Sequence, residues 1–214
     1  MIEWLYEDGI GEARALKLDG GRPVAVRIER PGTVRAGAVF PQATLLKRLG
    51  RRGLVELEGG LLGLVAPIPA GVTEGQMLGI EITREPVREH GRTKQFLARP
   101  SAAAAAPGPA LRDRIASDAP VRDLHATGAE ALDDHSWDEW IERARQGLWP
   151  FAGGSLRVEI TAAFVTIDVD GDLPARELAF AAAPEVARVI EMFDLQGNIA
   201  IDFPTLESKA DRAR

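Results

Sequence analysis

Two short runs of β-branched and other apolar residues in the last quarter of the chain each end in aspartate. Residues 166–172 read TIDVDGD, and residues 199–204 read IAIDFP. A strand of that composition is buried, and a carboxylate is kept at its end only where something offsets the cost of desolvating the charge. A helix-like stretch joins the two runs, so Asp168 and Asp202 can meet at one rim of a sheet. Such a pair suits a hard divalent cation.

Two other interpretations compete with a metal site of this kind. An EF-hand calcium loop that starts at Asp168 needs glycine at its sixth position and glutamate at its twelfth, but these are Leu173 and Ala179. The calcium loop is therefore excluded. A plain acidic turn after a strand stays open, although Asp202 at the end of an equivalent strand favours a two-carboxylate magnesium site, because Mg²⁺ commonly binds through one or two carboxylates and keeps several waters.

The same region resembles the core signature of the ribonuclease E/G family. The resemblance rests on GGSLRVEIT at 153–161, TIDVD at 166–170, AR at 187–188, DL at 194–195, Gly197 and IDF at 201–203. Order and spacing match, except that the segment between the two aspartates is somewhat shorter than in the family. The resemblance is strong over 150–203, moderate over 12–99 and poor over 100–135, and it is greatest to short, divergent α-proteobacterial members.

By this resemblance, Asp168 and Asp202 ligate one catalytic Mg²⁺, with Mn²⁺ as an alternative ion. Asp170 stands where the family has an asparagine that orients the first aspartate, and an aspartate there either adds a ligand or repels its neighbour. The implied reaction is hydrolysis of internal phosphodiesters of single-stranded RNA by metal-activated water, in RNA processing or turnover. The implied catalytic residues are thus these three aspartates.

The chain is predicted to be an α+β protein of several subdomains. We expect an N-terminal β-hairpin at 1–32, a small β-barrel at 33–100, an Ala/Pro linker at 101–110, a helical segment at 111–150 and a C-terminal α/β subdomain at 151–214. The hairpin follows from the turn signal DGG at 19–21, and the barrel from short strands separated by turns. The resemblance implies a ribonuclease-H-like hairpin, an OB-fold barrel that binds RNA, and a deoxyribonuclease-I-like sheet that is incomplete here, because family chains continue further.

The predicted barrel differs from the family in its RNA-contact residues. OB-folds hold single strands by stacking bases on aromatic side chains beside a basic groove. Where the family has phenylalanines on the second and third barrel strands, this chain has Leu54 and Leu64. Lys94, with Arg92 nearby, stands where the family places a lysine against the RNA. The other cations of the region indicate either an RNA-binding face or an ordinary solvated surface: Arg48, Arg51, Arg52, Arg84, Arg88 and Arg99.

A helix is predicted between residues 136 and 147. Ser136 and Glu139 have the spacing of a capping box, and Gly147 is expected to end the helix. Trp137 and Trp140 follow the helical period, which indicates packing rather than ligand contact. The two histidines near this helix, at 125 and 135, fit no familiar zinc spacing and are interpreted as surface residues.

Composition narrows the partners of the protein. A net charge of −6 and a pI near 5.2 argue against a protein that coats nucleic acid non-specifically. The absence of cysteine excludes disulfides and thiolate zinc sites within these residues. The zinc link that organises the family's tetramer is therefore either missing or lies beyond Arg214, so we expect no zinc-linked tetramer from this chain, and a homo-oligomer of another kind stays open. The chain has no apolar run long enough to span a bilayer and no signal-peptide pattern, which predicts a cytoplasmic protein without a membrane partner.

Two classes of function remain open. The first is a magnesium-dependent endoribonuclease, which requires Asp168 and Asp202 to meet. The second is a catalytically weak or inactive RNA-binding relative, favoured by the leucines in place of aromatic residues and by the acidic balance. It is also favoured by the helix that connects the two strands. The family has an asparagine and a glutamate on this helix and arginines near its end, whereas this chain has Glu177, Ala181, Glu191 and Phe193. The separation of the two aspartates discriminates between the classes.

Overall fold

The computed structural model describes residues 1–89, 92–125, 131–161, 163–206 and 208–212. The protein is of the mixed α+β class, with most of its regular structure in strands. It divides into two compact units. The first unit is Pro31–Arg114, and the second unit is Met1–Arg30 together with Ile115–Arg214. Along the sequence, the first unit is therefore inserted into the second.

The regular elements are short and follow one another closely. The strands are β1 (Ile2–Gly9), β2 (Glu12–Asp19), β3 (Arg22–Glu29), β4 (Val39–Leu49), β5 (Arg52–Glu56), β6 (Leu62–Val65), β7 (Met77–Arg84), β8 (Val87–Glu89), β9 (Arg92–Lys94), β10 (Phe96–Pro100), β11 (Val121–Leu124), β12 (Leu148–Phe151), β13 (Gly154–Ile160), β14 (Val165–Gly171) and β15 (Ile199–Asp202). The helices are α1 (Leu111–Ala116), a 3₁₀ turn (Leu132–His135), α2 (Trp137–Gln146), α3 (Ala175–Met192) and α4 (Lys209–Arg212). Within the described ranges, none of these helices has the length and apolar character that crossing a membrane requires. The cytoplasmic location stays a prediction.

In the first unit, five strands close into a barrel in the order β10-β6-β5-β4-β7. Neighbouring strands are antiparallel except β6 and β10, which are parallel. Residues alternate between the interior and the surface: on β5, Val55 is fully buried and Leu54 is half-buried on the outside. The interior is filled by apolar side chains: Ala38, Ala43, Leu45, Val55, Leu57, Val65, Ile68, Leu78, Ile80, Ile82, Phe96 and Ala98.

The barrel core is tightest where β6 meets β10. Phe96 is fully buried and lies opposite Gly63 in the parallel ladder. A Cβ atom added to Gly63 would collide with the Phe96 ring, at its Cε2, Cζ and Cδ2 atoms. Glycine is therefore required on β6, because the aromatic ring lies directly against the backbone of that strand.

The second unit contains two four-stranded sheets. Their strand orders are β11-β1-β2-β3 and β12-β13-β14-β15. In the first sheet, β2 and β3 form the hairpin predicted from the turn at 19–21, and β11 adds parallel to β1. In the second, β12, β13 and β14 are antiparallel, and β15 adds parallel to β14. One apolar core joins both sheets to α3, and its fully buried members include Leu5, Leu16, Leu132, Leu156, Ile167, Ala182 and Val189.

Helix α3 connects β14 to β15 and covers one face of the second sheet. Its buried residues recur at helical spacing, as Leu178, Ala182, Val186 and Val189. At its C-terminal end, Arg27 of β3 donates hydrogen bonds to the carbonyls of residues 191 and 192, at 3.3 and 3.2 Å. The carbonyl of residue 191 also accepts the N–H of Asp194, at 3.4 Å. The guanidinium group adds a donor at this helix end and holds α3 to the first sheet.

The segment 111–150 contains less helix than the sequence predicts. Helix α1 has 6 residues, and the segment also holds β11 and the start of β12. Strand β11 forms because its residues pair with Trp4 to Glu7 of β1. That partner lies more than a hundred residues away along the chain, so no local pattern in 121–124 indicates the strand.

The two predicted ends of α2 have opposite outcomes. The capping box is wrong: Ser136 adopts a left-handed conformation with φ 59° and ψ 36°, and its side chain makes no capping hydrogen bond. Gly147 ends the helix as predicted, at φ 64°, and its N–H donates to the carbonyl of Arg143 at 3.0 Å. The left-handed backbone that glycine adopts readily accounts for this end.

Asp118 ties the loop after α1 to the first sheet. Trp4 donates a hydrogen bond from Nε1 to Asp118 Oδ2 at 2.8 Å, and Lys17 Nζ lies 3.1 Å from the same oxygen. The Trp4 hydrogen bond and the Lys17 contact hold the pKa of Asp118 below its ordinary value of 3.8. Both contacts favour the charged carboxylate, which is why the shift is downward.

We expect Asp118→Asn to lower stability near neutral pH and to lose that effect in acid. A carboxyl with a depressed pKa contributes stability that is complete above its unfolded pKa and is lost as the pH falls through its folded pKa. Because the side chain is 49% exposed, solvent screening limits the effect to about 1 kcal/mol. Urea unfolding at about pH 7 and about pH 3 should show a difference from the unchanged protein that narrows in acid. A difference of equal size at both pH values would contradict the ionic role.

Candidate functional site

The two aspartates at the ends of β14 and β15 lie side by side. The two strands are parallel neighbours, and their ladder pairs Asp168 with Asp202. Adjacent strands lie about 4.8 Å apart, and paired residues project to the same face of a sheet. The structure thus brings the backbone positions of the two carboxylates together. Metal binding by them stays a prediction.

These carboxylates lie on the sheet face that points away from α3. Ile167 and Val169 belong to the core beneath α3. Asp168 and Asp170 alternate with them along β14, so these two residues face the other way. Asp168 is half-buried, and Asp202 and Asp170 are exposed. The carboxylates therefore keep contact with water, and the protein avoids the cost of burying unpaired charges.

A cation that was not predicted to belong to the site lies beside the pair. Arg157 of β13 is the antiparallel partner of Asp168, so Arg157, Asp168 and Asp202 form one row across three strands. Arg157 is exposed. Among the described residues, no ion pair joins its guanidinium group to either aspartate. On the same face, Ser155 is opposite Asp170. The row is therefore an open arrangement of two carboxylates with one cation at its side.

The donor set fits magnesium better than zinc. No group of three or more His, Cys, Asp or Glu residues close enough to hold a metal ion occurs in the described ranges. Structural and catalytic zinc sites use three or four protein ligands, whereas Mg²⁺ is bound by one or two carboxylates with several waters. His125 follows β11 and His135 ends the 3₁₀ turn, so neither residue is on the strands that carry the aspartates. The pair Asp168 and Asp202 alone could hold the ion.

The leucines predicted to face RNA lie together on the outside of the barrel. Leu54 and Leu64 are cross-strand partners on β5 and β6, and both are half-buried. Lys94 ends β9, in the two-stranded sheet of β8 and β9, and is also half-buried. Arg92 begins β9, but its side chain lies outside the described part of the structure, as does that of Arg88. The two leucines offer apolar contact to a base without the π-face of an aromatic ring.

Several predicted cations of the barrel are bound within it. Arg48 Nη1 donates to the carbonyl of Val72 at 2.7 Å, and Arg84 Nη2 to that of Gln95 at 2.8 Å. Arg99 pairs with Glu81 through Nη2 at 2.8 Å. Arg51 and Arg52 are instead exposed at the β4–β5 turn. Lys47, a cation that was not among those predicted, is exposed beside them. The run KRLGRR at 47–52 is the signal that could have identified the group.

A separate apolar cleft of ≈ 210 Å³ lies on the α3 side of the second sheet. Trp149 lies in its wall and packs edge-on against Phe193, with ring centroids 5.9 Å apart. Arg143 lies over the rings of Trp140 and Trp149, at 5.0 and 5.6 Å. Trp137 is almost completely buried. The tryptophans of α2 thus pack against the core, as predicted, on the face opposite to the aspartates.

No protein-family model matches the chain. The chain is similar to the ribonuclease E/G-like protein, chloroplastic, of Arabidopsis thaliana, with 31% identity over 102 residues. The matched part is 42% of this chain and 10% of that protein, so the chain spans about a tenth of the length of this relative. The result is a distant similarity to a ribonuclease E/G-like protein over part of the sequence.

Proposed function

We propose that the protein is a divalent-metal-dependent endoribonuclease that hydrolyses internal phosphodiesters of single-stranded RNA. The observation that carries the proposal is the pairing of Asp168 with Asp202 across β14 and β15. The distant similarity to a ribonuclease E/G-like protein supports RNA as the substrate class. Mg²⁺ is the expected ion, with Mn²⁺ as an alternative, because hard carboxylate oxygens are the ligands offered.

In this proposal Asp168 and Asp202 hold the ion on the open face of the sheet. When bound, the ion would supply Lewis acidity, lower the pKa of its water and neutralise charge on the reacting phosphate. Asp170, two residues along β14 on the same face, would accept a hydrogen bond from a water of the site. Arg157, next to Asp168, binds a non-bridging phosphate oxygen, since a guanidinium fork matches phosphate geometry. The reaction needs no side-chain nucleophile.

Arg157→Ala is expected to reduce kcat/KM for RNA cleavage by about tenfold. A charge-assisted hydrogen bond to an ionised group contributes about 1.5–3 kcal/mol, and about 1.4 kcal/mol corresponds to a factor of ten in rate. Steady-state kinetics on one labelled RNA would measure the effect, with Arg157→Lys expected to keep part of the activity. Cleavage that is unchanged or faster in Arg157→Ala would contradict contact between the guanidinium group and phosphate.

The barrel is proposed to be the RNA-binding OB-fold that the family resemblance implies. It has five strands, it is closed, and β6 pairs in parallel with the last strand, β10, instead of with the next strand along the chain. OB-folds are five-stranded Greek-key barrels that bind oligonucleotides on the face of their second and third strands. In this barrel those strands are β5 and β6, which carry Leu54 and Leu64.

A non-catalytic RNA-binding protein is the second candidate. One observation favours it: leucines occupy the barrel face where the family has aromatic residues. The two candidates separate in one experiment, in which an AU-rich, fluorescent single-stranded RNA is incubated with the protein in Mg²⁺, in Mn²⁺ and in EDTA. Internal cleavage that depends on the metal supports the enzyme. Binding without cleavage in either metal would contradict it and leave the second candidate.

A further inference from the structure

The charge of this protein is divided unevenly between its two units. Pro31–Arg114 carries 12 lysines and arginines against 7 aspartates and glutamates, a net charge of +5. The rest of the chain carries 14 against 25, a net charge of −11. The acidic total therefore conceals a basic barrel. The barrel unit, unlike the chain as a whole, carries the sign of charge that attracts nucleic acid.

Three exposed cations of the barrel lie together on one hairpin. Lys47 lies on β4, Arg51 at the turn and Arg52 at the start of β5, and all three are exposed. Arg48, in the same run, donates a hydrogen bond to the carbonyl of Val72, so we do not count it with these three cations. The hairpin thus presents three positive charges to solvent within six residues.

A row of leucines continues from this hairpin across the barrel surface. Lys47 is the cross-strand partner of Leu54, Leu54 of Leu64, and Leu64 of Leu97. Paired residues share a face, and Arg52 shares that face with Leu54 because it lies two residues away on β5. The leucines are half-buried. The surface is therefore an apolar strip, about 10 Å long over two strand spacings, with cations at one end.

We infer that the β4–β5 hairpin binds the phosphates of a single-stranded RNA, through Lys47, Arg51 and Arg52, while its bases lie over the leucine row. The inference rests on the RNA substrate of the proposed function, but not on cleavage. Base stacking on aromatic side chains contributes about 1–3 kcal/mol per base, and leucines do not supply it. Affinity therefore depends mainly on charge, which predicts strong salt dependence and weak preference for particular bases.

RNA suits this surface better than an acidic protein does. A single strand offers phosphates and flat apolar bases at alternating positions, which match the cations and the leucine strip. An acidic protein surface would match only the cations and would leave the leucine strip without a partner. Two carboxylates border this surface: Glu56, opposite Leu62 on β6, and Glu74, whose Oε1 accepts the N–H of Arg48 at 2.7 Å. The three exposed cations of the hairpin outnumber them, so the local charge favours a polyanion.

The test compares two variants of the full chain that lose the same charge. The first is Lys47→Ala/Arg51→Ala/Arg52→Ala, and the control is Arg22→Ala/Arg145→Ala/Arg176→Ala, at exposed positions of the other unit. Fluorescence anisotropy with a labelled RNA of about 12 nucleotides, in EDTA and at several salt concentrations, measures affinity without cleavage.

The hairpin variant is expected to bind at least tenfold more weakly at low salt. Each phosphate contact to a single strand contributes about −0.7 to the slope of log K against log salt. Removal of three cations should therefore lower the magnitude of the total slope by about 2. The control variant should keep the slope of the unchanged protein. Circular dichroism melting shows whether each variant folds, and the single change Arg51→Glu, at the turn, repeats the test with a smaller perturbation.

Three results would overturn the inference. An unchanged slope in the hairpin variant would show that these cations do not contact phosphate. Equal losses in both triple variants would show a general effect of net charge. Self-association at low salt that the hairpin variant lacks, without RNA binding, would identify a second copy of the chain as the partner. Because binding is measured in EDTA, a hairpin-dependent slope in a protein that never cleaves RNA would reject the nuclease and leave this inference standing.

Discussion

Asp168→Asn and Asp202→Asn are each expected to lower metal-dependent RNA cleavage by about a thousandfold, that is, by about 4 kcal/mol of transition-state stabilisation. Asparagine keeps the size and shape of aspartate, but it removes the negative charge that holds a divalent cation. The two residues are neighbours in one ladder, so loss of either leaves a single carboxylate for the ion. The cleavage rate of the double variant should therefore be at most about tenfold lower than that of the less active single variant, since the two residues act as a unit.

Initial rates on one labelled RNA at several Mg²⁺ concentrations would measure this loss. Asp172→Asn is the matched control, because Asp172 lies just beyond β14, is exposed and has no part in the proposed site. It should cleave at the rate of the unchanged protein. A variant of Asp168 or Asp202 that retains full activity would contradict the proposal.

A measurement without RNA separates metal binding from catalysis. A ligand that binds only the folded protein stabilises it by about 2.7 kcal/mol when its concentration is a hundred times Kd. Mg²⁺ or Mn²⁺ should accordingly raise the melting temperature of the unchanged protein and of Asp172→Asn. The same ions should leave Asp168→Asn and Asp202→Asn unchanged, while all four proteins should melt alike in EDTA.

Gly63→Ala is expected to destabilise the barrel by about 1–3 kcal/mol, which is the typical cost of overpacking a filled core. The added methyl group would meet the Phe96 ring, which is fully buried and cannot turn aside without displacing its neighbours. Urea unfolding would measure the loss in the free energy of unfolding. For a protein of this size, each kcal/mol corresponds to about 2–4 °C in Tm.

A double-mutant cycle tests the cause of that loss. Phe96→Leu shortens the side chain and opens the space that the new methyl group needs. The cost of Gly63→Ala should therefore be smaller in the Phe96→Leu background than in the unchanged protein, and the two substitutions should be non-additive by about 0.5–3 kcal/mol. Equal costs in both backgrounds would show that the ring is not the obstacle.

Local sequence signals predict those parts of the fold that local chemistry determines. The turn at 19–21 predicts the β2–β3 hairpin, and Gly147 predicts the end of α2, because both depend on a few neighbouring residues. Strand β11 could not be predicted this way, since its four residues are ordered by pairing with β1. Ser136 shows the same limit: its sequence favours a cap, but the preceding 3₁₀ turn places its backbone in the left-handed region.

The candidate site divides along the same line. The approach of Asp168 to Asp202 is predictable, because two similar apolar runs joined by a helix favour adjacent parallel strands with the same end in common. The positions of Arg157 and Lys47 are not predictable from the sequence, because each depends on the register of its own strand against the next one. A shift of one residue would turn either side chain to the opposite face.

The insertion of the barrel between β3 and β11 sets an order of events during synthesis. Chains emerge from the ribosome N-terminus first and fold in units. All five barrel strands lie between residues 39 and 100. We therefore expect the barrel to fold before β11 is available to complete the first sheet. The Asp168–Asp202 pair forms later still, when β15 joins β14. A nascent chain would therefore form the basic hairpin surface of the barrel before the two aspartates of the proposed metal site come together.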